Sequence, residues 1–152
     1  MVAPQRLRVQ GCVQPTPEGV TVQGEQRDLV RPSRPTVLVC EDDESLRELV
    51  RLTLEADFEI LEATDGRETI ALVGEHRPAA VIVDLMLPGL PGIDVIRALR
   101  ADDANAATRI VALSAWSHLD RESIAAGADR FLAKPFDPDE LRAAVAELLE
   151  AA

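Results

Sequence analysis

Five residues of the chain could form one site, judged by their chemical type and their spacing. Glu41, Asp42 and Asp84 are carboxylates that follow two short apolar segments, Ser114 ends a third such segment, and Lys134 follows a fourth. Lys134 is the only lysine of the chain, which otherwise uses arginine. Carboxylates are ligands of hard cations such as Mg²⁺, and a lysine ammonium is a compact charge that can lie beside one anionic oxygen. Together these residue types could hold a divalent cation and a phosphoryl group.

Each of these residues also has an ordinary structural interpretation when it is taken alone. The acidic run 41–44 could stabilise the positive end of a helix dipole, and Lys134 could be a surface lysine. Asp84 is harder to explain in this way, because an ionised carboxylate that closes an apolar strand is costly without a partner. His76 and His118 are isolated, and the sequence has no cluster of cysteines and histidines, which disfavours zinc.

The alternation of apolar, β-branched segments with helical patterns predicts the elements that position these residues. The predicted strands are 36–40, 58–62, 80–83, 109–113 and 130–133, and the predicted helices are 44–56, 67–75, 92–101, 118–126 and 137–150. Asp137, which precedes Pro138, is predicted to cap the last helix. Five βα units predict an α/β fold, a doubly wound (βα)5 domain with a five-stranded parallel sheet. In such sheets ligands bind beyond the carboxyl ends of the strands, where the five candidate residues fall.

Two parts of the chain differ in composition. Residues 1–34 end in the linker-like run Arg31-Pro-Ser-Arg-Pro35 and are predicted to be a flexible extension or a small hairpin. Residues 35–152 carry the βα pattern and are predicted to be the folded domain.

Charge and composition exclude several classes of function. The net charge of −11 disfavours direct nucleic-acid binding, which depends on cationic contacts with phosphates. No apolar run is long enough to cross a bilayer, and no signal-peptide pattern is present, so membrane insertion is not expected. Cys12 and Cys40 are too few for a disulfide framework, which favours the cytoplasm.

The motifs occur in an order that resembles the receiver domain of two-component response regulators, over residues 34–151. That family carries an acidic pair after the first strand, an Asp-x-x-x-Pro-Gly segment, a Ser or Thr followed by Ala, a Gly-Ala pair and a Lys-Pro pair. The corresponding residues here are Glu41-Asp42, Asp84-Leu-Met-Leu-Pro88-Gly89, Ser114-Ala115, Gly127-Ala128 and Lys134-Pro135.

The resemblance implies a flavodoxin-like fold and a phosphorylation reaction. Asp84 would accept a phosphoryl group from the phosphohistidine of a histidine kinase or of a histidine phosphotransfer protein. Lys134 and Ser114 would contact the phosphoryl oxygens, and the receiver would itself catalyse the transfer. The implied Mg²⁺ ligands are Glu41, Asp42, Asp84 and the backbone carbonyl of Met86.

The resemblance also implies a conformational switch. Ser114 would move towards the phosphoryl group, and Phe131, three residues before the lysine, would turn inward. A cis bond is implied between Lys134 and Pro135. The fourth helix, fifth strand and fifth helix would then dock a downstream protein target. Because the chain ends soon after the fifth helix, we expect a single-domain regulator.

Two other classes of function remain open. The chain could be a receiver-like module that binds proteins without being phosphorylated, although such a module would be expected to have lost a carboxylate or the lysine. It could also be a phosphatase with an Asp nucleophile, similar to the haloacid dehalogenases. That class fits worst, because its Asp-x-Asp-x-Thr/Val signature is replaced by Glu41-Asp-Asp-Glu44.

Met86 and Trp116 are bulky apolar residues two positions after Asp84 and Ser114. We interpret them as residues that slow hydrolysis of the phosphoryl group by excluding water. A docking role for Trp116 is an alternative, since exposed tryptophans concentrate at interfaces.

Overall fold

The structure is a computed structural model that describes residues 33–151. Within it, residues 35–151 form a compact unit. The predicted flexible extension or hairpin before residue 33, and Cys12 with it, lie outside the described residues.

Five parallel strands form one sheet in the order β2-β1-β3-β4-β5, as expected for a doubly wound domain. The strands are β1 Thr36–Cys40, β2 Glu59–Ala63, β3 Ala80–Asp84, β4 Arg109–Ser114 and β5 Arg130–Ala133. The α-helices of the described residues are α1 Glu44–Leu54, α2 Gly66–His76, α3 Gly92–Ala101, α4 Asp120–Ala126 and α5 Pro138–Glu150. Short 3₁₀ turns occupy Asp103–Asn105 and Ser117–Leu119. The predicted (βα)5 fold class is therefore confirmed.

Alternate side chains of the strands enter two hydrophobic cores, one on each face of the sheet. Val37 and Val39 of β1 pack in the core that contains α1 and α5, whereas Leu38 and Cys40 pack with α2 and α3. Every residue of β3 is buried, because this central strand is covered on both faces. Burial of the sheet on both faces leaves its carboxyl edge as the surface where polar side chains can meet.

Aspartates begin several of the helices. The carboxylate of Asp43 accepts a hydrogen bond from the amide of Leu46 at 3.1 Å at the start of α1. Asp137 caps α5 as predicted, with Pro138 in the first turn. These side chains satisfy amides that have no partner inside the helix.

Several predicted boundaries differ from the structure by one or two residues. The first helix ends at Leu54 rather than 56, and Phe58 belongs to the turn after it, where its amide donates to the Leu54 carbonyl at 3.0 Å. The strand β2 consequently begins at Glu59. The predicted helix 118–126 is divided into a 3₁₀ turn and α4.

None of the helices in residues 33–151 has the length and apolar character needed to cross a bilayer.

Candidate functional site

The strand order places the candidate residues along one edge of the sheet. The strand β3 lies between β1 and β4, and β4 pairs with β5. Because the strands are parallel, Glu41, Asp84, Ser114 and Lys134 come from four adjacent strand ends. Residues that are as far apart in sequence as Glu41 and Lys134 are thus brought together by the sheet alone.

Lys134 bridges two buried carboxylates. Its Nζ lies 3.0 Å from Glu41 Oε1 and 3.0 Å from Asp84 Oδ2. The side chains of Glu41 and Asp84 are 2% and 5% exposed, and that of Lys134 is 20% exposed. The backbone fixes the lysine too, since its amide donates to the Ser114 carbonyl at 2.8 Å. The ammonium supplies the charge partner that the buried Asp84 requires.

Three carboxylates form a cluster of suitable size for a cation. Glu41, Asp42 and Asp84 each offer one oxygen, and these oxygens lie within 4.8 Å of one another. Asp42 is exposed, whereas the other two are buried. The donor set consists of hard oxygens without histidine or thiolate, which fits Mg²⁺ better than zinc.

Burial and charge perturb the ionisation of this cluster. Burial raises the pKa of Glu41 to about 7, and the repulsion from Asp84 acts in the same direction, against the hydrogen bonds from the amide of Asp43 and from Lys134. Burial lowers the pKa of Lys134, but the hydrogen bonds and charges of Asp84 and Glu41 outweigh it, so that the pKa is raised. Lys134 is therefore a permanent cation at neutral pH.

The segment after Asp84 is tied back to that residue. The amide of Met86 donates to Asp84 Oδ1 at 3.0 Å, and the Met86 side chain is 50% exposed. Gly92 at the start of α3 packs closely against the end of β3. A Cβ at this position would stand only 2.5 Å from the Asp84 carbonyl oxygen. The close contact brings the start of α3 next to the candidate site.

The remaining predicted residues lie at or near the same edge. Ser114 is fully buried, and its Oγ accepts a hydrogen bond from the amide of Trp116 at 3.0 Å. The Trp116 side chain is 53% exposed and its ring lies 5.5 Å from that of His118. Phe131 is half-buried against the core. The bond between Lys134 and Pro135 is cis.

One residue at the site was not found from the sequence. Arg47 of α1 donates from one guanidinium nitrogen to the Glu41 carbonyl at 2.9 Å and from Nε to Glu62 Oε1 at 2.8 Å. Its spacing within the helix indicates only a polar face, so no sequence signal pointed to it.

Comparison with known proteins identifies the family. The family model described as "Response regulator receiver domain" matches residues 37–146. The chain belongs to this family. The match begins within β1 and extends into α5, and so includes every residue of the lysine and carboxylate cluster.

Relatives and solved structures agree with this receiver assignment. The chain is 42% identical over 118 residues to the DNA-binding response regulator MtrA of Mycobacterium tuberculosis, covering 74% of this chain and 49% of that protein. It is 33% identical over 117 residues to the phosphate regulon transcriptional regulatory protein PhoB of Pseudomonas aeruginosa, covering 75% of this chain and 51% of that protein. The receiver thus spans about half the length of these two regulators.

Solved receiver structures share the fold. The chemotaxis response regulator CheY4 of Vibrio cholerae matches with a TM-score of 0.72 at 30% identity, over 76% of this chain and 99% of that one. The receiver domain of the Francisella response regulator 1452 gives a TM-score of 0.72 at 30% identity, over 78% and 98% of the two chains.

Proposed function

We propose that this receiver domain is a phosphorylatable switch in which Asp84 accepts a phosphoryl group from the phosphohistidine of a histidine kinase or histidine phosphotransfer protein. The observation that carries the proposal is the position of the Lys134 ammonium, 3.0 Å from both Asp84 and Glu41 and beside the three-carboxylate cluster. A lysine with only a surface role would keep its ammonium in solvent rather than between two buried carboxylates.

The proposed reaction is a displacement at phosphorus. An oxygen of Asp84 forms the new bond to phosphorus while the bond from phosphorus to the histidine nitrogen breaks, and the electron pair remains with that nitrogen. Glu41, Asp42, Asp84 and the Met86 carbonyl would hold Mg²⁺, which when bound neutralises charge on the carboxylates and the transferred oxygens. Lys134 needs only a small movement from the carboxylate to a phosphoryl oxygen. Positioning and charge neutralisation are what phosphoryl transfer mostly requires.

The proposed switch follows from the new anion. The Ser114 hydroxyl would leave the Trp116 amide and donate to a phosphoryl oxygen, and Phe131 would turn towards the space it vacates. The backbone hydrogen bond from Lys134 to Ser114 supports a coupled movement of the ends of β4 and β5. The surface of α4, β5 and α5 would then bind the downstream protein target.

The proposed partners are proteins. MtrA is described as DNA-binding, but this chain matches about half of its length. The net charge of −11 supports docking to proteins over direct contact with nucleic acid.

Incubation with acetyl phosphate and Mg²⁺, followed by intact mass measurement, tests the proposal. We expect one phosphoryl adduct that requires Mg²⁺ and is lost in Asp84→Asn, while Asp94→Asn, which alters a half-exposed aspartate of α3, keeps it. Absence of an adduct in the wild type would support a phosphorylation-independent binding module. Continuous consumption of acetyl phosphate without an adduct would instead indicate a hydrolase.

A further inference from the structure

Arg47 connects the acidic loop after β1 to the neighbouring helix and strand. Its guanidinium donates to the Glu41 carbonyl oxygen at 2.9 Å and to Glu62 Oε1 of β2 at 2.8 Å. The Arg47 side chain is only 16% exposed. An arginine can make both contacts because its donors form a planar fork.

Four hydrogen bonds fix Glu41, and the one that its carbonyl oxygen accepts from Arg47 is the last of them. The Glu41 amide donates to the Ala63 carbonyl at 3.1 Å, and its Oε2 accepts from the Asp43 amide at 3.1 Å. Lys134 holds Oε1 at 3.0 Å. Arg47 holds the fourth group, the carbonyl oxygen. A buried carbonyl that loses its donor costs about 1–3 kcal/mol, so this peptide is strongly oriented by Arg47.

The carbonyl of Glu41 belongs to the peptide that leads into Asp42. Asp42 is exposed, in contrast to the two buried members of the carboxylate cluster. Within residues 33–151 the Asp42 carboxylate makes no hydrogen bond or ion pair, so the orientation of the preceding peptide directs it towards the cluster. Arg47 sets that orientation.

The charge of Arg47 is compensated. An uncompensated cation near the cluster would oppose binding of a second, divalent cation. Glu62 lies 2.8 Å from Arg47 Nε, and Arg51, which also contacts Glu62, pairs with Glu55 as well, so that two carboxylates balance the two guanidinium groups. Arg47 can thus supply a fixed hydrogen bond to the site without adding net positive charge.

We infer that Arg47 is a positioning residue for divalent-cation binding, which acts through the Glu41–Asp42 peptide and touches neither the cation nor the phosphoryl group. The inference rests on the proposed function, because it concerns the same cation site. It assigns to α1 an indirect part in the metal affinity of the domain.

Arg51 provides a matched control for the test. It lies one turn further along α1 and also pairs with Glu62, at 3.4 Å, and with Glu55, at 3.0 Å, but within residues 33–151 it forms no hydrogen bond or ion pair with the acidic loop after β1. Arg47→Gln and Arg51→Gln remove the same charge from the same helix. A difference between the two variants therefore reports the contact with Glu41.

Mg²⁺ affinity of the full chain is measured by titration calorimetry, with circular dichroism to verify that each variant is folded. We expect Arg47→Gln to weaken Mg²⁺ binding by about tenfold, as is usual when a group that orients a metal ligand is removed. Arg51→Gln should remain within about twofold, since it leaves the ligands in place. Arg47→Lys, which has a single nitrogen and cannot hold both acceptors, should lie between the wild type and Arg47→Gln.

Equal Mg²⁺ affinities for Arg47→Gln and Arg51→Gln would overturn the inference. If Arg47→Gln does not fold, Arg47→Lys decides the matter, and wild-type affinity in that variant would overturn it. A wild type that binds Mg²⁺ and is phosphorylated while Arg47 has no effect would refute the inference alone. A wild type that binds no Mg²⁺ would refute the metal step of the proposed function and the inference with it.

Discussion

Replacing Lys134 by methionine tests how much the lysine stabilises the folded domain by pairing with its two buried carboxylates. The substitution removes the ammonium from 3.0 Å contacts with Glu41 and Asp84 and leaves two carboxylates that are 2% and 5% exposed. At an effective dielectric of about 20, one such contact is worth about 5 kcal/mol before desolvation is subtracted. Removing one partner of a buried pair costs about 3–5 kcal/mol, because the charge that remains has no compensation. Lys134 is itself 20% exposed, so we expect a loss near the lower end, about 3 kcal/mol.

The loss should depend on pH. Glu41 has a pKa of about 7 even with the lysine present, so near pH 5.5 it can bind a proton and relieve the repulsion from Asp84. The cost of Lys134→Met should therefore be larger at pH 8 than at pH 5.5. Urea unfolding followed by circular dichroism at both pH values measures it.

A double-mutant cycle identifies the source of the loss. In an Asp84→Asn background one of the two buried carboxylates that lose their partner is already neutral. The loss of unfolding free energy caused by Lys134→Met should therefore be smaller by at least about 1 kcal/mol. Arg97→Gln is the control, because its ion pair with Asp94 is exposed and its removal should change stability by no more than about 0.5 kcal/mol. A cost at pH 8 as small as that of the control, or an unchanged cost in the Asp84→Asn background, would refute the reasoning.

Three further predictions concern the same edge of the sheet. The pKa of Glu41 is raised from 4.5 to about 7 in the folded state, so stability should fall as pH rises between these values, by up to about 3 kcal/mol, and Glu41→Gln should remove this slope. Trp116→Glu should shorten the lifetime of the phosphoryl adduct by admitting water, whereas Trp116→Phe should preserve it; equal decay of the adduct mass in both would contradict the role. Gly92→Ala should destabilise the domain by about 1–3 kcal/mol, since its Cβ would meet backbone at 2.5 and 2.6 Å, while Gly74→Ala, with nothing within 4 Å, should stabilise by about 0.5–1 kcal/mol in thermal unfolding.

The fold could be predicted because its pattern is repeated five times. Strands such as Ala80–Asp84 are short and β-branched, and each is followed by a helical pattern, which leaves few topologies available. Boundaries were less predictable. Phe58 has the apolar, aromatic character of a strand residue, but it is used to close the turn after α1, and sequence periodicity cannot distinguish these two uses.

The edge of the sheet at which the site lies was also predictable, because the ends of parallel strands meet there. The particular contacts were not. The simultaneous bridge from Lys134 to Glu41 and Asp84 depends on the length of one side chain and on the strand order β1-β3-β4-β5. Arg47 could not be recognised because its partner at Glu41 is a backbone carbonyl, which any residue type carries. The roles of Met86, Ser114 and Phe131 stay predictions.

Identifying which residue carries the phosphoryl group tests most directly the claim that Asp84 is the phosphoacceptor. After incubation with acetyl phosphate and Mg²⁺, borohydride reduction converts a phosphorylated aspartate to homoserine, and peptide mass spectrometry identifies its position. We predict that the conversion occurs at Asp84, in wild-type protein and only when Mg²⁺ is present. Conversion at another carboxylate, or equal conversion of Asp84 in the presence of a chelator, would contradict a site in which the clustered acids hold the cation and Lys134 faces the phosphoacceptor.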